Sequence, residues 1–354
     1  MNSPFRFGFV GAGQIAHHSV DVVRAHGDAD VLAVTDANHD RARELAESKS
    51  IATVCATATE LFQRDDIDGV YIAVPNKFHA PLAIEALKAG KHVLLEKPFA
   101  TNYAEALEVV QTAESTGRVF SLGMNYRLHA EQQKSKAVVH SGILGEVYHA
   151  KAWWYRRKGI PKLGTWFGNK SLAGGGCLYD IGVHYLDLVL NLLGDFEPVS
   201  VSGQTYTKFG NRGAGEGGWG MSDRGDIPFD VDDFASAFIR MKSGATVTLD
   251  VAWASNIEES NLKNVRLLGT EAGMLADPCQ VFQANPETGE FETRSDFDLP
   301  VEFPHCDRFH NLVNHVRGLE PLATTTREAL AVQRILDAIA ESSTTHREIL
   351  IPPL

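Results

Sequence analysis

The chain has 354 residues, of which 44% are hydrophobic and 22% are charged, and its formal net charge is −12. This length exceeds what one ordinary hydrophobic core supports, so it predicts two domains. Because the chain is acidic and has no block of Lys and Arg, it lacks the cationic surface that binds nucleic acids or anionic membranes. We predict that neither is a partner.

The cysteines and the N-terminal residues indicate the cellular compartment of the protein. No two of the four cysteines have metal-ligand or redox-motif spacing, so we predict reduced thiols at Cys55, Cys177, Cys279 and Cys306. The N-terminus runs directly into a strand pattern, without the features of a signal peptide, and no apolar run is long enough to span a bilayer. We therefore predict a cytoplasmic protein.

The first part of the chain alternates strand and helix patterns. Strands are predicted over 5–10, 31–35, 69–74, 92–95 and 119–124, and helices over 15–25, 41–47, 80–88 and 104–115. Short apolar strands that are each followed by a helix are typical of a parallel sheet buried on both faces. We predict an α/β Rossmann domain, a doubly wound dinucleotide-binding fold, over residues 1–125.

The pattern changes after residue 125. A strand rich in aromatic residues is predicted over 147–155, an apolar helix over 178–193, and further strands over 199–207, 234–241, 246–253 and 265–268. Gly244 marks a hairpin turn between two of these strands, and the predicted helices 309–316 and 327–341 finish the chain. We predict a C-terminal α+β domain over 126–354, built on a large, mostly antiparallel open sheet.

A Gly-rich stretch without periodicity covers residues 209–225. Its composition fits a flexible surface loop. It equally fits a mobile lid or a subunit contact, with Trp219 as the anchor.

The segment GAGQIA at 11–16 follows the first predicted strand and opens the first predicted helix. This is the G-x-G-x-x-A form of the dinucleotide signature, in which the first glycine allows a tight turn and the second admits the pyrophosphate. The start of the helix offers unpaired N–H groups to the phosphates. We assign to the cofactor site Gly11, Gly13, Gln14 and Ile15.

Asp36 ends the second predicted strand, at the spacing expected for the carboxylate that binds the adenine-ribose hydroxyls. A carboxylate there repels a 2′-phosphate, so the predicted cofactor is NAD rather than NADP. Arg41 follows closely, and it could either accommodate such a phosphate or lie on a solvated helix face.

Three further segments complete a pattern. They are PNKFH at 75–79, EKP at 96–98, and GGG at 174–176 followed by Asp180, Gly182, His184 and Asp187. Together with the glycine signature they resemble the glucose–fructose oxidoreductase / inositol dehydrogenase / rhizopine catabolism (Gfo/Idh/MocA) oxidoreductases, over nearly the whole chain. The resemblance implies an NAD(P)-dependent dehydrogenase or reductase that transfers a hydride between the nicotinamide and a ring carbinol of a sugar, glycoside or cyclitol.

The resemblance also implies the catalytic residues. Lys97 would lie beside the nicotinamide and the substrate hydroxyl, where its ammonium stabilises a developing alkoxide. Asp180 and His184 are four residues apart on a predicted helix, so they share one face. His184 would take the hydroxyl proton, and Asp180 would orient the substrate or His184.

The segment from Asp180 to Asp187 could also be read as a metal site. Because it holds only one histidine and the family's chemistry needs no metal, we predict no metal. Asp187 is then a structural hydrogen-bonding group.

The remaining candidates flank these motifs or follow predicted strands. We assign to the nicotinamide side of the cofactor site Pro75, Asn76, His79, Glu96 and Asn125, although turn and cap chemistry also explains Asn76 and His79. We assign to the substrate site, beside the catalytic residues, Arg127, Tyr155, Arg156 and Trp166. Core packing explains Trp166 nearly as well, and a solvated charge run explains Arg156.

Two other functions stay open. A glycosidase that retains NAD would oxidise a ring hydroxyl, eliminate the aglycone and reduce the product again; net turnover of NAD separates it from a dehydrogenase. A dinucleotide-sensing protein without chemistry would not need Lys97, Asp180 and His184 together. An open antiparallel sheet has a face that needs covering, and members of the family associate in this way, so we predict a homodimer or homotetramer.

Overall fold

A computed structural model describes residues 3–25, 27–222, 224–285, 287–305 and 307–352, so the predicted thiol of Cys306 lies outside the described residues. The first sheet has six parallel strands: β1 (Phe5–Val10), β2 (Ala29–Thr35), β3 (Thr53–Val54), β4 (Gly69–Ile72), β5 (His92–Leu95) and β6 (Phe120–Leu122). Their order is β3-β2-β1-β4-β5-β6. The helices between them are α1 (Gln14–Ala25), α2 (His39–Lys49), α3 (Ala58–Phe62), α4 (His79–Lys88) and α5 (Tyr103–Thr116). The predicted Rossmann fold is confirmed.

Within the described residues, the second sheet has nine strands, and one pair of neighbouring strands in it is parallel. The strands are β7 (Val147–Arg156), β8 (Pro198–Tyr206), β9 (Phe234–Met241), β10 (Thr246–Ala252), β11 (Asn261–Gly269), β12 (Gly273–Ala276), β13 (Cys279–Ala284), β14 (Phe291–Arg294) and β15 (Ile349–Leu350). Their order is β14-β13-β12-β11-β7-β10-β9-β8-β15, and β7 and β10 are parallel. The helices of this part are α6 (Ala130–His140), α7 (Lys170–Ala173), α8 (Val183–Leu193), α9 (Arg308–Val316) and α10 (Thr326–Thr345). The predicted mostly antiparallel sheet is confirmed.

The two faces of the second sheet differ. Along β7, Ala150, Ala152 and Trp154 are buried, whereas the residues between them are partly or fully exposed. Successive side chains of a strand point to opposite faces, so the buried set lies on the inner face, where Trp154 packs against Tyr185 of α8. We call the other side the outer face; Lys151 pairs there with Asp250 of β10.

Helix α9 returns to the first sheet. The ring of Phe309 lies 5.6 Å from that of Phe7 and 6.1 Å from that of Phe9, and all three side chains are buried. One face of the first sheet is therefore covered partly by α1 and α2 and partly by a helix from the far end of the chain. The domain boundary near residue 125 stays a prediction.

Within the described residues, no helix is long and apolar enough to cross a membrane. The described part of the chain also contains no group of three or more His, Cys, Asp or Glu side chains that could hold a metal ion.

Candidate active site

The glycine turn between β1 and α1 has the shape that a dinucleotide requires. Gly11 has φ +104°, and a Cβ there would stand 2.1 Å from the carbonyl oxygen of Ala73, so only glycine fits. A Cβ on Gly13 would meet nothing within 4 Å. This open space faces the start of α1, whose first N–H groups have no partner within the helix. The turn therefore fits the pyrophosphate of NAD.

Asp36 is fixed beside this turn. Its Oδ2 accepts a hydrogen bond from the Ala12 N–H at 2.7 Å, and its Oδ1 accepts one from the Asn38 N–H at 2.7 Å. A carboxylate has about four acceptor positions, so this arrangement leaves capacity for ribose hydroxyls. The Arg41 guanidinium donates to the carbonyl oxygen of Met221 at 2.9 Å, so it is directed toward the Gly-rich segment.

Lys97 is held against the second domain. It is the second residue after β5, and its peptide bond to Pro98 is cis. Its Nζ donates to Asp180 Oδ1 at 2.7 Å and to the Asp180 carbonyl oxygen at 3.2 Å. Both side chains are less than one-fifth exposed. The cleft between the domains thus contains a nearly buried ammonium–carboxylate pair.

Asp180 lies in a π-helical turn, Leu178–Gly182, that leads into α8. Such turns widen the helix and are frequent at functional sites. The indole N–H of Trp253 donates to Asp180 Oδ2 at 2.8 Å. Burial by itself would raise the pKa of Asp180, but the charges of Lys97 and Arg156 outweigh it and lower that pKa to about 2. The carboxylate is therefore ionised throughout the physiological range.

His184 follows on the first turn of α8. Burial, and then the charge of Lys97, lower the pKa of His184 well below its ordinary value, so the imidazole is neutral at neutral pH. Its Nδ1 is buried and has no hydrogen-bond partner among the described residues. A buried polar atom without a hydrogen-bond partner costs free energy of folding unless a ligand or a water molecule bonds to it.

An aromatic wall stands beside His184. The rings of Tyr126 and Trp154 lie 4.9 Å and 6.4 Å from the imidazole, measured between centroids. Lys263 Nζ lies 5.2 Å from both aromatic centroids, and the Arg156 guanidinium carbon lies 4.4 Å from that of Trp154. Aromatic faces with a few fixed polar groups are the usual composition of a small-molecule site.

The aromatic wall contains one residue that was assigned to the substrate site from the sequence and three that were not. Arg156 lies on the inner face, where its charge acts on Asp180 and His184, and its assignment to the substrate site stays a prediction. Tyr126, Trp154 and Lys263 were missed, although Tyr126 stands between two candidates. The burial alternation of β7 could have identified Trp154, whereas Lys263 depends on the pairing of β11 with β7.

Two assignments to the substrate site are wrong. Tyr155 lies on the outer face, where its ring stacks on that of Phe234 at 6.3 Å, because strand alternation turns it away from Trp154 and His184. Arg127 is buried and forms two hydrogen bonds with Asp187, at 2.8 Å and 2.6 Å, and one with Glu328 at 2.7 Å. The Arg127 guanidinium therefore pairs with internal carboxylates rather than facing a substrate.

Three residues assigned to the nicotinamide side instead stabilise the turns around it. The ring nitrogens of His79 face the carbonyl oxygens of Pro98 and Val74, at 2.7 Å and 2.9 Å, so neither is left for a ribose hydroxyl. The buried Asn76 amide donates to the Ala173 carbonyl at 2.8 Å. Glu96 Oε1 accepts from Arg308 at 2.6 Å and from Tyr71 at 2.5 Å. The assignments of Gln14, Ile15, Pro75, Asn125 and Trp166 stay predictions.

These features are typical of a dinucleotide-dependent oxidoreductase: a glycine turn with open space beside it, a carboxylate fixed next to that turn, and a cleft with an ammonium, a carboxylate and a neutral imidazole. Comparisons with known proteins agree. A sequence profile described as "Oxidoreductase family, NAD-binding Rossmann fold" matches residues 5–124, and one described as "GFO/IDH/MocA C-terminal domain" matches residues 132–275.

Individual relatives extend the match. The chain is 31% identical over 349 residues to D-glucoside 3-dehydrogenase of Escherichia coli (strain K12), with 97% of each chain covered. It is 33% identical to dTDP-3,4-didehydro-2,6-dideoxy-α-D-glucose 3-reductase of Streptomyces antibioticus, over 55% of this chain and 58% of that one. An NAD-binding protein from Listeria innocua superposes with a TM-score of 0.81 at 25% identity, over 98% of this chain and 97% of that one. The chain belongs to the Gfo/Idh/MocA family and is an NAD-dependent oxidoreductase.

Proposed function

We propose that this protein oxidises a ring carbinol of a sugar or glycoside to a ketone, or catalyses the reverse reduction. The observation that carries the proposal is the Lys97–Asp180 pair, joined at 2.7 Å in the cleft and adjacent to the neutral His184. The two named relatives support a reaction at position 3 of a glucose-type ring, since both are named for that position.

The residues divide the work of the reaction. When bound, NAD supplies the nicotinamide ring that exchanges a hydride with the carbinol carbon. The Lys97 ammonium donates to the substrate oxygen and stabilises the negative charge that develops there. Asp180 orients the Lys97 ammonium through the hydrogen bond that it accepts from it. His184 accepts the hydroxyl proton in the oxidative direction and returns it in the reductive direction.

The aromatic wall is the proposed sugar-binding surface. The faces of Tyr126 and Trp154 offer apolar area to the C–H groups of a ring, while Arg156 and Lys263 offer donors to its hydroxyls. The indole N–H of Trp154 is already engaged by Asn261 Oδ1 at 2.7 Å, so the ring orientation is fixed before the sugar binds.

A substrate screen tests this function. Purified protein is incubated with NAD and a panel of free sugars, glycosides and cyclitols, and NADH is followed by absorbance. Borodeuteride reduction of the product then locates the oxidised carbon by mass spectrometry. We expect NADH formation with glucose-type rings, and its loss in the Lys97→Met variant. If NAD binds but no member of the panel reduces it to NADH, the proposal is wrong.

The same screen separates the alternatives. Release of an aglycone without net NADH formation would identify a glycosidase that retains NAD. Binding of NAD without any reaction of sugars would favour a sensor.

We further propose a cytoplasmic homodimer or homotetramer that associates through the outer face. The rings of Tyr155, Phe234 and Tyr206 form a partly exposed aromatic cluster there, with neighbouring centroids 6.3 Å and 5.7 Å apart. Exposed apolar clusters on an open sheet are typical of interfaces.

A further inference from the structure

The Gly-rich segment reaches across to the cofactor-binding domain. We call residues 216–222 the strap. The N–H of Gly220 donates to Gln14 Oε1 at 3.2 Å, and the carbonyl oxygen of Met221 accepts from the Arg41 guanidinium at 2.9 Å. Gln14 begins α1 directly after the glycine turn, and Arg41 lies on α2 shortly after Asp36. The strap therefore joins the pyrophosphate side of the cofactor site to its adenine-ribose side.

The strap is anchored at its base in the second domain. The Gly217 N–H donates to the carbonyl oxygen of Ile160 at 2.8 Å, and the Leu163 N–H donates to Glu216 Oε2 at 2.7 Å. The carbonyl oxygen of Trp219 accepts from the Lys162 N–H at 3.1 Å. The path also needs glycine, because Gly220 has φ +109°. These contacts give the segment one defined course over the first domain.

Two large apolar side chains stand at this junction with much of their surface exposed. Trp219 is 46% exposed and Met221 is 38% exposed. The rings of Trp219 and Phe167 form a T-shaped pair with centroids 5.5 Å apart, so Phe167 covers at most one face of the indole. An exposed indole beside a nucleotide site offers a surface on which a flat base can stack.

We propose that the strap is part of the NAD site: it covers the adenosine half of the cofactor, with Trp219 and Met221 against the adenine. The same segment contributes to specificity, because the Met221 carbonyl accepts a hydrogen bond from Arg41, the arginine near Asp36 that a 2′-phosphate would recruit. A 2′-phosphate would have to break that hydrogen bond to recruit Arg41, and it would still face the Asp36 carboxylate. Discrimination against NADP then depends on residues from both domains.

Calorimetric titration of the full chain tests the strap without relying on activity. The ligands are NAD, ADP-ribose, which is the cofactor without its nicotinamide, and nicotinamide mononucleotide, which lacks the adenosine half. The variants are Trp219→Ala and Gly220→Ala. The matched control is Gly213→Ala, which introduces a side chain at another positive-φ glycine (φ +69°) of the same Gly-rich stretch but outside the strap.

We expect both strap variants to bind NAD and ADP-ribose about 3- to 10-fold more weakly than the parent protein. This is the effect of losing one hydrogen bond or one aromatic contact. Binding of nicotinamide mononucleotide and all binding by the control variant should be unchanged. Circular dichroism confirms that each variant is folded. Unchanged ADP-ribose affinity in both strap variants would overturn the proposal.

NADP titration tests the specificity role separately. Gly220→Ala should lose less affinity for NADP than for NAD, because Arg41 is released to the 2′-phosphate. Adding Arg41→Ala to that variant should remove the difference. If Gly220→Ala lowers the affinity for NAD and for NADP by the same factor, the role assigned to Arg41 is wrong.

Discussion

Replacing Lys97 by Met removes the one ammonium paired with Asp180 in the cleft. An ammonium 2.8 Å from an oxyanion contributes about 6 kcal/mol at an effective dielectric of about 20. Asp180 already shares that charge at 2.7 Å, so we expect a smaller net loss of about 3–5 kcal/mol, or about 10²–10⁴-fold in kcat. His184→Ala should cost about the same factor, because it removes the proton acceptor. The double variant should lose less than the product of the two, since both residues serve one proton transfer.

The assay is steady-state turnover on the best sugar from the screen, with NAD affinity measured by calorimetry. Affinity should stay nearly unchanged, because the glycine turn and Asp36 are remote from Lys97. Lys263→Met is the matched comparison. It removes another lysine of the site, one that contacts Tyr126 and Trp154 of the aromatic wall, and it should raise KM more than it lowers kcat. Near-normal kcat in Lys97→Met would refute the role assigned to the ammonium.

Four other outcomes follow from the structure. Arg127→Met should lower the free energy of unfolding by about 3–5 kcal/mol in urea titrations, because it leaves Asp187 buried and unpaired; unchanged stability would contradict the ion pair. Asp36→Ala should narrow the difference between NAD and NADP affinity in calorimetry, and an unchanged ratio would count against the carboxylate. In a plot of kcat/KM against pH, the midpoint of the acidic limb should lie below the ordinary pKa range of histidine. Lys97→Met should move this midpoint to higher pH, because the loss of a nearby cation raises the pKa of His184. A midpoint that does not move would exclude His184 as the titrating group. Light scattering should show a dimer or tetramer at micromolar concentration, and Phe234→Glu on the outer face should dissociate it; a monomeric parent protein would contradict the interface.

Local motifs allowed the cofactor side of the site to be predicted. The glycine turn and Lys97 are each recognised from a few consecutive residues that follow a strand, and Asp36 is recognised from its spacing to that turn at the end of the next strand. Their chemistry depends on backbone shape and on position at the end of a strand, and both are encoded within short stretches of sequence.

The substrate side depends on partners that are distant in sequence. Arg127 looked like a site residue because it follows β6, yet Asp187 and Glu328, which pair with it, are far along the chain. Tyr155 and Trp154 are neighbours, and only the packing of α8 shows which of them faces the cleft. Lys263 joins the wall through strand pairing that no local pattern indicates.

Three helices were not predicted, namely α3, α6 and α7, and the longest of them, α6, was missed for a different reason. Helix α6 buries polar side chains, among them Gln132, Gln133 and Ser135. The Gln133 Oε1 accepts from the Phe303 N–H at 2.7 Å, and the Ser135 hydroxyl donates to the Ala276 carbonyl at 2.8 Å. A helix that is held by buried hydrogen bonds lacks the apolar period by which helices are recognised.

The return of α9 limits how this protein can be divided. A fragment that ends at residue 125 would leave Phe7 and Phe9 without the ring of Phe309. It would also leave Glu96 without Arg308, directly beside Lys97. Such a fragment would expose apolar surface in solution and aggregate, whereas one that carries residues 307–318 on a short linker would keep that face covered. The smallest nucleotide-binding piece of this chain is therefore discontinuous, because a helix that is synthesised long after β6 completes the cover of the first sheet.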